Sequence, residues 1–265
     1  MEKYNVKFKK KFGQNFLKDD RVVKKIVNVC NISDKDLVIE VGPGGAILTK
    51  ELATVSKEVL AYEIDNDLKE ELELKLKDYS NVKVIYKDFL KSNIREDIKN
   101  KEYNNIFFVS NVPYYITTPI ILKLMDSEIN FKKICLMVQK EVADRLAANP
   151  GTRDYGSITV LLKSFYNIKK EFFVSREEFI PKPNVDSEII SLEEKEDKEF
   201  IKDKEFFVKF VRDSFQYKRK NIKNNLKKYN LEIISKVLDK YGFDLSVRAE
   251  QLDVSIFIEM ANLLV

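Results

Sequence analysis

The chain contains no histidine, no tryptophan and only two cysteines among its 265 residues. Without histidine, a Ser–His–Asp triad and other catalysis that depends on imidazole are excluded. Cys30 and Cys135 are far apart in apolar stretches and lack the paired spacing of a zinc site. We expect two buried free thiols in a reducing, cytoplasmic environment, because a disulfide would need an oxidising one. No metal is expected.

Long apolar runs are also missing, and no stretch reaches the length of a membrane-spanning helix. Residues 1–11 are basic but lack the apolar core of a secretory signal, so we expect no membrane partner. The net charge is +4 and lysine far outnumbers arginine, which weakens any argument from a lysine run alone. The length suits one α/β domain with a smaller appended domain.

Glycine is scarce, with seven in the chain, and three of them fall in one short turn. A predicted strand at residues 37–41 runs into Gly42-Pro43-Gly44-Gly45 and then a predicted helix over residues 47–55. This order is typical of a nucleotide-binding βα unit. Ile47 stands where the dinucleotide fingerprint has its third glycine, which argues against a pyrophosphate ligand. The turn instead suits a ligand with an adenosine and no phosphates.

Acidic residues follow the next two predicted strands. Glu63 comes near the end of the strand at residues 59–65, about 20 residues beyond the glycines, where a carboxylate binds ribose hydroxyls. Asp88 follows the strand at residues 82–86 and could accept a hydrogen bond from an adenine amino group, with Phe89 beside the ring. Each acid could instead only cap the next helix. Because parallel strands end at one edge of a sheet, the set predicts an adenosine pocket there.

The four residues Asn111-Val112-Pro113-Tyr114 follow a buried-strand pattern at residues 106–109. Pro113 fixes its own φ and lacks an N–H, so we expect the chain to turn there. The amide oxygen of Asn111 and the carbonyl of Val112 or Pro113 could hold an exocyclic amine. The ring of Tyr114 could stack on the base that carries this amine. Such an arrangement suits methylation of an exocyclic amine on a flat ring. The alternative is an ordinary strand-to-helix turn with a capping asparagine.

Two further loops carry aromatic residues that could close this pocket. Residues 12–17 of the basic arm, Phe-Gly-Gln-Asn-Phe-Leu, are expected to pack over it as a lid. The alternative for them is a disordered basic tail. Residues 179–187 contain two prolines that stiffen the loop and project Phe179 as a second stacking ring. The alternative is that Phe179 covers a sheet edge.

A charged run at residues 193–199 marks the predicted domain boundary. Seven predicted strands and their helices lie in residues 1–192, and residues 193–265 are predicted to be helical throughout. Residues 215–228 have apolar positions at helical spacing and basic or amide residues elsewhere, which predicts a helix face that binds a phosphate backbone. A plain solvated face is the alternative.

Together these motifs resemble the rRNA adenine N6,N6-dimethyltransferase family, of the kasugamycin-sensitivity type that modifies small-subunit rRNA. The resemblance covers nearly the whole chain. It rests on an ordered set of motifs: Gly13-Gln14-Asn15-Phe16-Leu17, Glu40-Val41-Gly42-Pro43-Gly44, Glu63-Ile64-Asp65, Asp88, Asn111-Val112-Pro113-Tyr114, Tyr155-Gly156-Ser157, residues 179–187, and Arg248-Ala249-Glu250-Gln251-Leu252. The family usually has leucine at position 112, and bacterial members often have asparagine at position 115, where this chain has valine and tyrosine.

The resemblance implies a Rossmann-like methyltransferase domain, with a seven-stranded, mostly parallel sheet between helices, at residues 1–192. An all-α, rRNA-binding domain at residues 193–265 would follow it. The implied methyl donor is S-adenosyl-L-methionine (SAM), and the product is S-adenosyl-L-homocysteine. The residues that the resemblance places on the cofactor are Asn15, Leu17, Gly42, Glu63, Asp88 and Asn111.

The resemblance also implies the target and the residues that hold it. Asn111 and the Pro113 carbonyl would hold the amine, and the rings of Tyr114 and Phe179 would stack on the adenine. The implied reaction adds two methyl groups to each of two adjacent adenosines near the 3′ end of small-subunit (16S) rRNA. The implied partner is the assembling small ribosomal subunit, with the enzyme acting as a monomer in ribosome biogenesis.

Other proteins with this fold are weighed as alternatives. Macrolide-resistance methyltransferases of large-subunit rRNA share the chemistry, but the loop at residues 179–187 and the motif at residues 248–252 favour the small-subunit enzyme. A non-catalytic RNA- or DNA-binding assembly or transcription factor is a third possibility. The intact Asn111, Glu63 and Asp88 argue against it. A DNA adenine methyltransferase would more typically show Asp or Asn followed by two prolines and tyrosine.

Overall fold

A computed structural model describes residues 15–265, so residues 12–14 of the predicted lid and the basic residues before them lie outside it. In chain order the strands are β1 (Phe16–Leu17), β2 (Leu37–Val41), β3 (Glu58–Glu63), β4 (Val82–Tyr86), β5 (Ile106–Asn111), β6 (Phe131–Gln139), β7 (Tyr166–Val174), β8 (Phe179–Ile180) and β9 (Ser187–Glu194). The helices are α1 (Asp20–Cys30), α2 (Ile47–Val55), α3 (Lys69–Leu76), α4 (Ile94–Ile98), α5 (Thr117–Asp126), α6 (Lys140–Ala147), α7 (Ser157–Phe165), α8 (Lys204–Ser214), α9 (Ile222–Asn225), α10 (Leu231–Lys240) and α11 (Val254–Leu264). Each helix in this described part is too short or too polar to span a bilayer.

The main sheet has seven strands in the order β4-β3-β2-β5-β6-β9-β7. The first five run parallel, and β9 pairs antiparallel with β6. All five residues of β2 are buried, as expected for a parallel strand that is covered on both faces. The predicted Rossmann-like fold with a mostly parallel seven-stranded sheet is confirmed, and its parallel strands deliver their carboxyl ends to one edge.

Helix α1 shows how the sequence pattern places a helix on this sheet. The Asp19 side chain caps it by accepting a hydrogen bond from the Arg21 N–H at 2.8 Å. Its buried face carries Val23 and Cys30, and Cys135 of β6 belongs to the same core cluster. Both cysteines are buried free thiols, as predicted.

The chain divides into two compact units. The first consists of the described residues up to Ala143 together with Lys169–Glu194, and it carries most of the sheet. The second combines Asp144–Ile168 with Lys195–Val265. Within the second unit, α7 packs on α8 and α11. The predicted division after residue 192 places residues 144–168 with the sheet, whereas the structure groups them with the C-terminal helices, because α7 has its packing partners there.

The basic segment at residues 215–228 is a loop and a short helix rather than one continuous helix. Helix α8 ends just before it, and α9 supplies little more than one turn. The buried Asn225 side chain folds the loop: its oxygen accepts from the Tyr217 N–H at 3.0 Å, and its nitrogen donates to the Lys220 carbonyl at 3.3 Å. These bonds take the place of helical ones, so the prediction of a continuous helix is wrong.

Candidate active site

A cavity of about 300 Å³ lies at the carboxyl edge of the parallel strands, within the first unit. Open α/β sheets place their ligands at this edge. The predicted site residues that line it are Asn15, Leu17, Gly42, Glu63, Asp88, Asn111, Pro113 and Tyr114. Within residues 15–265, no three His, Cys, Asp or Glu side chains gather as a candidate metal site.

The glycine turn forms one wall of the cavity. Gly42 and Gly44 have φ values of +74° and +50°, which favour glycine. A Cβ on Gly44 would lie 2.9 Å from Phe16 Cδ1 and closer still to Cε1. Glycine is therefore required here both by the backbone conformation and by the aromatic ring that packs on it.

Glu63 lies at the end of β3 with both carboxylate oxygens turned toward backbone donors. Oε1 accepts a hydrogen bond from the Asp65 N–H at 2.8 Å, and Oε2 accepts one from the Gly44 N–H at 3.4 Å. Burial raises the pKa of Glu63 above its ordinary value, while these two backbone bonds act in the opposite direction. The Glu63 carboxylate thus connects the end of β3 to the glycine turn. Acceptor positions that the backbone donors leave open face the cavity.

Glu40 is a cavity residue whose role the sequence analysis missed. It lies in β2, its side chain is 1% exposed, and its Oε2 has no hydrogen-bond partner in the described structure. Burial raises the pKa of Glu40 to about 8, and the nearby charge of Glu63 adds to the shift. The Thr49 hydroxyl favours the ionised form but does not reach hydrogen-bonding geometry. The sequence did contain a signal for this role, because Glu40 is the single charged residue in the otherwise apolar strand β2.

Asp88 caps a turn and also lies at the cavity. Its Oδ1 accepts a hydrogen bond from the Leu90 N–H at 3.0 Å, capping a 3₁₀ turn, and the residue also lines the cavity. Lys123 of α5 holds this turn from behind by donating to the carbonyls of Leu90 at 3.1 Å and Ser92 at 2.7 Å. The capping bond fixes the carboxylate at the cavity wall.

The Asn111 to Tyr114 stretch forms a further part of the cavity wall beside the glycine turn, where Pro113 Cδ lies 4.0 Å from the position that a Cβ on Gly42 would take. Asn111 ends β5, and its Nδ2 donates to the Asn15 carbonyl at 3.0 Å. Pro113 precedes a 3₁₀ turn that leads into α5, so the expected turn is present. The Tyr114 hydroxyl is 2.6 Å from Ser187 Oγ, which fixes the tyrosine ring.

The structure does not place Phe179 on the cavity wall. Phe179 lies in β8, where it pairs with Leu17 in a two-stranded antiparallel sheet, and it is 2% exposed. Phe179 and Leu17 belong to the same hydrophobic core cluster. The buried position differs from the projecting ring expected from the two prolines, because pairing with β1 covers it.

The fold and this site, an adenosine-sized cavity next to an Asn-x-Pro-Tyr loop, define a Rossmann-like methyltransferase. Residues 5–265 match the family model for ribosomal RNA adenine dimethylase. The chain belongs to that family, and it is accordingly an rRNA adenine dimethyltransferase, as the motifs indicated.

Individual relatives agree with this assignment. Ribosomal RNA small subunit methyltransferase A of Clostridium botulinum (strain Okra / Type B1) is 42% identical over 265 residues, which cover 99% of this chain and 96% of that protein. The protein of the same name from Bacillus cytotoxicus is 41% identical, over 100% of this chain and 94% of its own length. Among solved structures, a dimethyladenosine transferase from Plasmodium falciparum gives a TM-score of 0.77 at 28% identity, covering 92% of this chain and 95% of that one. The 23S rRNA methyltransferase ErmE gives 0.72 at 26% identity, covering 94% and 99%.

Proposed function

We propose that this protein uses SAM to dimethylate N6 of two adjacent adenosines near the 3′ end of small-subunit rRNA. The observation that carries the proposal is one cavity that joins the acids at the strand ends to the Asn111–Tyr114 wall. The small-subunit target is supported by the names of relatives that are 41–42% identical over the full chain. The large-subunit enzyme ErmE is similar at 26% identity.

The chemistry of the lining suits a cofactor that contains an adenosine and a cation. The free lone pairs of Glu63 would accept bonds from the ribose hydroxyls, and Asp88 would accept one from the adenine amino group. The Oε2 of buried Glu40 has no partner in the described structure, and a positively charged ligand beside it would favour the ionised carboxylate over the protonated form that burial favours in the free protein. SAM supplies an activated methyl group on a sulfonium. Asn15, Leu17, Gly42 and Asn111 complete the proposed cofactor contacts.

The target amine would be held by acceptors from the Asn111–Tyr114 stretch. The Asn111 oxygen and the Pro113 carbonyl would accept its two N–H bonds, which directs the nitrogen lone pair toward the methyl group. Tyr114, fixed through Ser187, would stack on the adenine after it leaves its helix. Phe179, which pairs with Leu17, would hold β1 in place rather than touch the base. No general base is needed before transfer. The nitrogen becomes positively charged when it accepts the methyl group, and this acidic cation then loses its proton to solvent.

The basic loop at residues 217–220 is the proposed phosphate contact on rRNA. Lys218, Arg219 and Lys220 form no ion pair with any described acidic residue, whereas Lys228 pairs with Asp213 at 2.8 Å. Unneutralised cations on a loop held by Asn225 suit a polyanion. The protein would act as a cytoplasmic monomer on the assembling small subunit.

The direct test incubates the protein with methyl-labelled SAM and small subunits that lack the modification, followed by nucleoside analysis. We expect N6,N6-dimethyladenosine in small-subunit rRNA and none in a parallel reaction with large subunits. The Asn111→Ala variant should transfer about 100- to 1,000-fold more slowly in a single turnover, as when one preorganised polar group is lost at a reacting centre. Label in large-subunit rRNA alone, or equal rates for the variant and wild type, would refute the proposal.

A further inference from the structure

One short segment touches two parts of the proposed active site and also pairs with a strand outside the cavity lining. The strap, defined as residues 15–18, contains β1 and lies against the glycine turn, against Asn111 and against β8. Sequence motifs place the strap on the cofactor alone. Its contacts in the structure give it a second role, toward the base that is methylated.

The first contact decides which way the Asn111 amide faces. The Asn15 carbonyl accepts a hydrogen bond from Asn111 Nδ2 at 3.0 Å. A backbone carbonyl can only accept, so it selects the amide orientation with nitrogen toward the strap. The Asn111 oxygen is then the atom left for the target. In the flipped orientation, the Asn111 NH₂ would meet the N–H donors of the adenine amine and could not hold it.

The remaining contacts fix the strap itself. The Phe16 ring packs on Gly44 so closely that a single added Cβ would collide with it. Leu17 pairs with Phe179, both 2% exposed, and the Lys18 N–H donates to the Glu178 carbonyl at 3.0 Å. The strap therefore cannot shift at Asn15 without unpacking a ring or breaking the β1–β8 pairing.

We propose that the strap is a positioning element that holds the Asn111 oxygen toward the target amine. When the strap packs over the glycine turn, it would complete the cofactor site and at the same time orient the Asn111 oxygen toward the target base. Asn111 remains the catalytic residue, and the strap acts through it. The inference rests on the proposed methyl transfer to adenine N6.

The test loosens the strap at a residue outside the cavity lining. Lys18→Pro removes the N–H that bonds to the Glu178 carbonyl, and Lys18→Ala is its matched control, which keeps that N–H and removes only the exposed side chain. At saturating SAM and rRNA substrate, Lys18→Pro should slow single-turnover methyl transfer about tenfold, roughly the effect of losing one positioning hydrogen bond. Lys18→Ala should transfer at the wild-type rate.

A double-mutant cycle separates positioning from a merely structural effect. In an Asn111→Ala background, Lys18→Pro should cause no further loss of rate, because the strap acts through the amide that is already missing. Hydrogen exchange of residues 16–17 and 179–180 reports whether the pairing has loosened. If the proline variant does not fold, Phe16→Ala replaces it in the same cycle; because Phe16 also lines the cavity, its SAM affinity is measured first and its rate is taken at saturating SAM.

The outcomes are separable from those of the proposed function. Additive losses in the cycle, or a wild-type rate in a variant whose strap exchanges faster, would overturn the positioning role while leaving methyl transfer intact. A wild-type protein that methylates no adenine would overturn the proposed function instead.

Discussion

Replacing Glu63 tests the cofactor site most sharply, because its two existing hydrogen bonds define what remains for a ligand. Each carboxylate oxygen already accepts one backbone N–H, from Asp65 at 2.8 Å and from Gly44 at 3.4 Å. A backbone bond from Ile64 also favours the ionised form, and the acceptor positions that these donors leave open would face the ribose hydroxyls. Hydrogen bonds to a charged acceptor contribute about 1.5–3 kcal/mol each, so two at the lower limit correspond to about 150-fold in affinity. Water that enters the vacated space returns part of this, and we expect Glu63→Ala to weaken SAM binding at least about tenfold.

Isothermal titration calorimetry with SAM measures this loss. Glu58→Ala is the matched control, because Glu58 begins the same strand at the opposite edge of the sheet and pairs with Lys101. It should bind SAM with wild-type affinity. The SAM affinity of Glu63→Gln should lie between those of Glu63→Ala and the wild type, since glutamine keeps the side-chain size but loses the charge. Glu63→Ala protein that is folded and binds SAM within twofold of wild type would refute the ribose assignment.

Two further predictions concern charge. Glu40 has a pKa raised from 4.5 to about 8 by burial, so the folded protein holds a proton that the unfolded chain releases, and stability should fall as pH rises between these values. Glu40→Gln should make that slope shallower in thermal unfolding midpoints measured across this range, with the part due to the raised pKa of Glu63 remaining. Identical slopes in the variant and wild type would show that Glu40 is already ionised in the folded protein. On the basic loop, replacing Lys218 and Lys220 together by alanine should lower the slope of log affinity for rRNA against log salt by about 0.7–0.9 for each phosphate that is no longer neutralised. Lys209→Ala is the control because Lys209 already pairs with Asp213 at 2.9 Å, and an unchanged slope in the double variant would leave the loop as a solvated surface.

The lining of the cavity was predictable where a residue lies at the end of a parallel strand. Glycines after β2, an acid at the end of β3 and Asn111 at the end of β5 converge for a topological reason, since the strands share one edge. Local pattern fails where a residue's environment is set by a distant segment. Phe179 looks exposed in its proline-rich loop but is buried, because a strand more than 160 positions earlier in sequence pairs with it. Glu40 fits the pattern of an apolar strand, and only the cavity beside it reveals its unpartnered oxygen.

Contacts that a local sequence pattern does not show also explain why parts of the second unit were predicted incorrectly. Residues 215–228 have helical periodicity, yet the Asn225 side chain competes with the backbone for hydrogen bonds and folds a loop. The apolar face of α7 predicts burial but not the partner that buries it. A single charged run can mark one boundary, near residue 193, whereas the unit is formed from two separate stretches of chain.

The division of the helical unit into two stretches of chain affects how it folds during synthesis and how it can be exchanged between relatives. Its first stretch holds Gly151, whose N–H donates to the Glu250 carbonyl at 2.7 Å, and Tyr155, whose ring lies 6.2 Å from that of Phe215. Both partners belong to the second stretch, as do α8 and α11, so α7 leaves the ribosome before these helices can cover its apolar face. A protein cut after residue 192 would expose that face permanently and should aggregate. Swapping this unit between relatives would likewise require two exchanged segments, with three junctions in the gene.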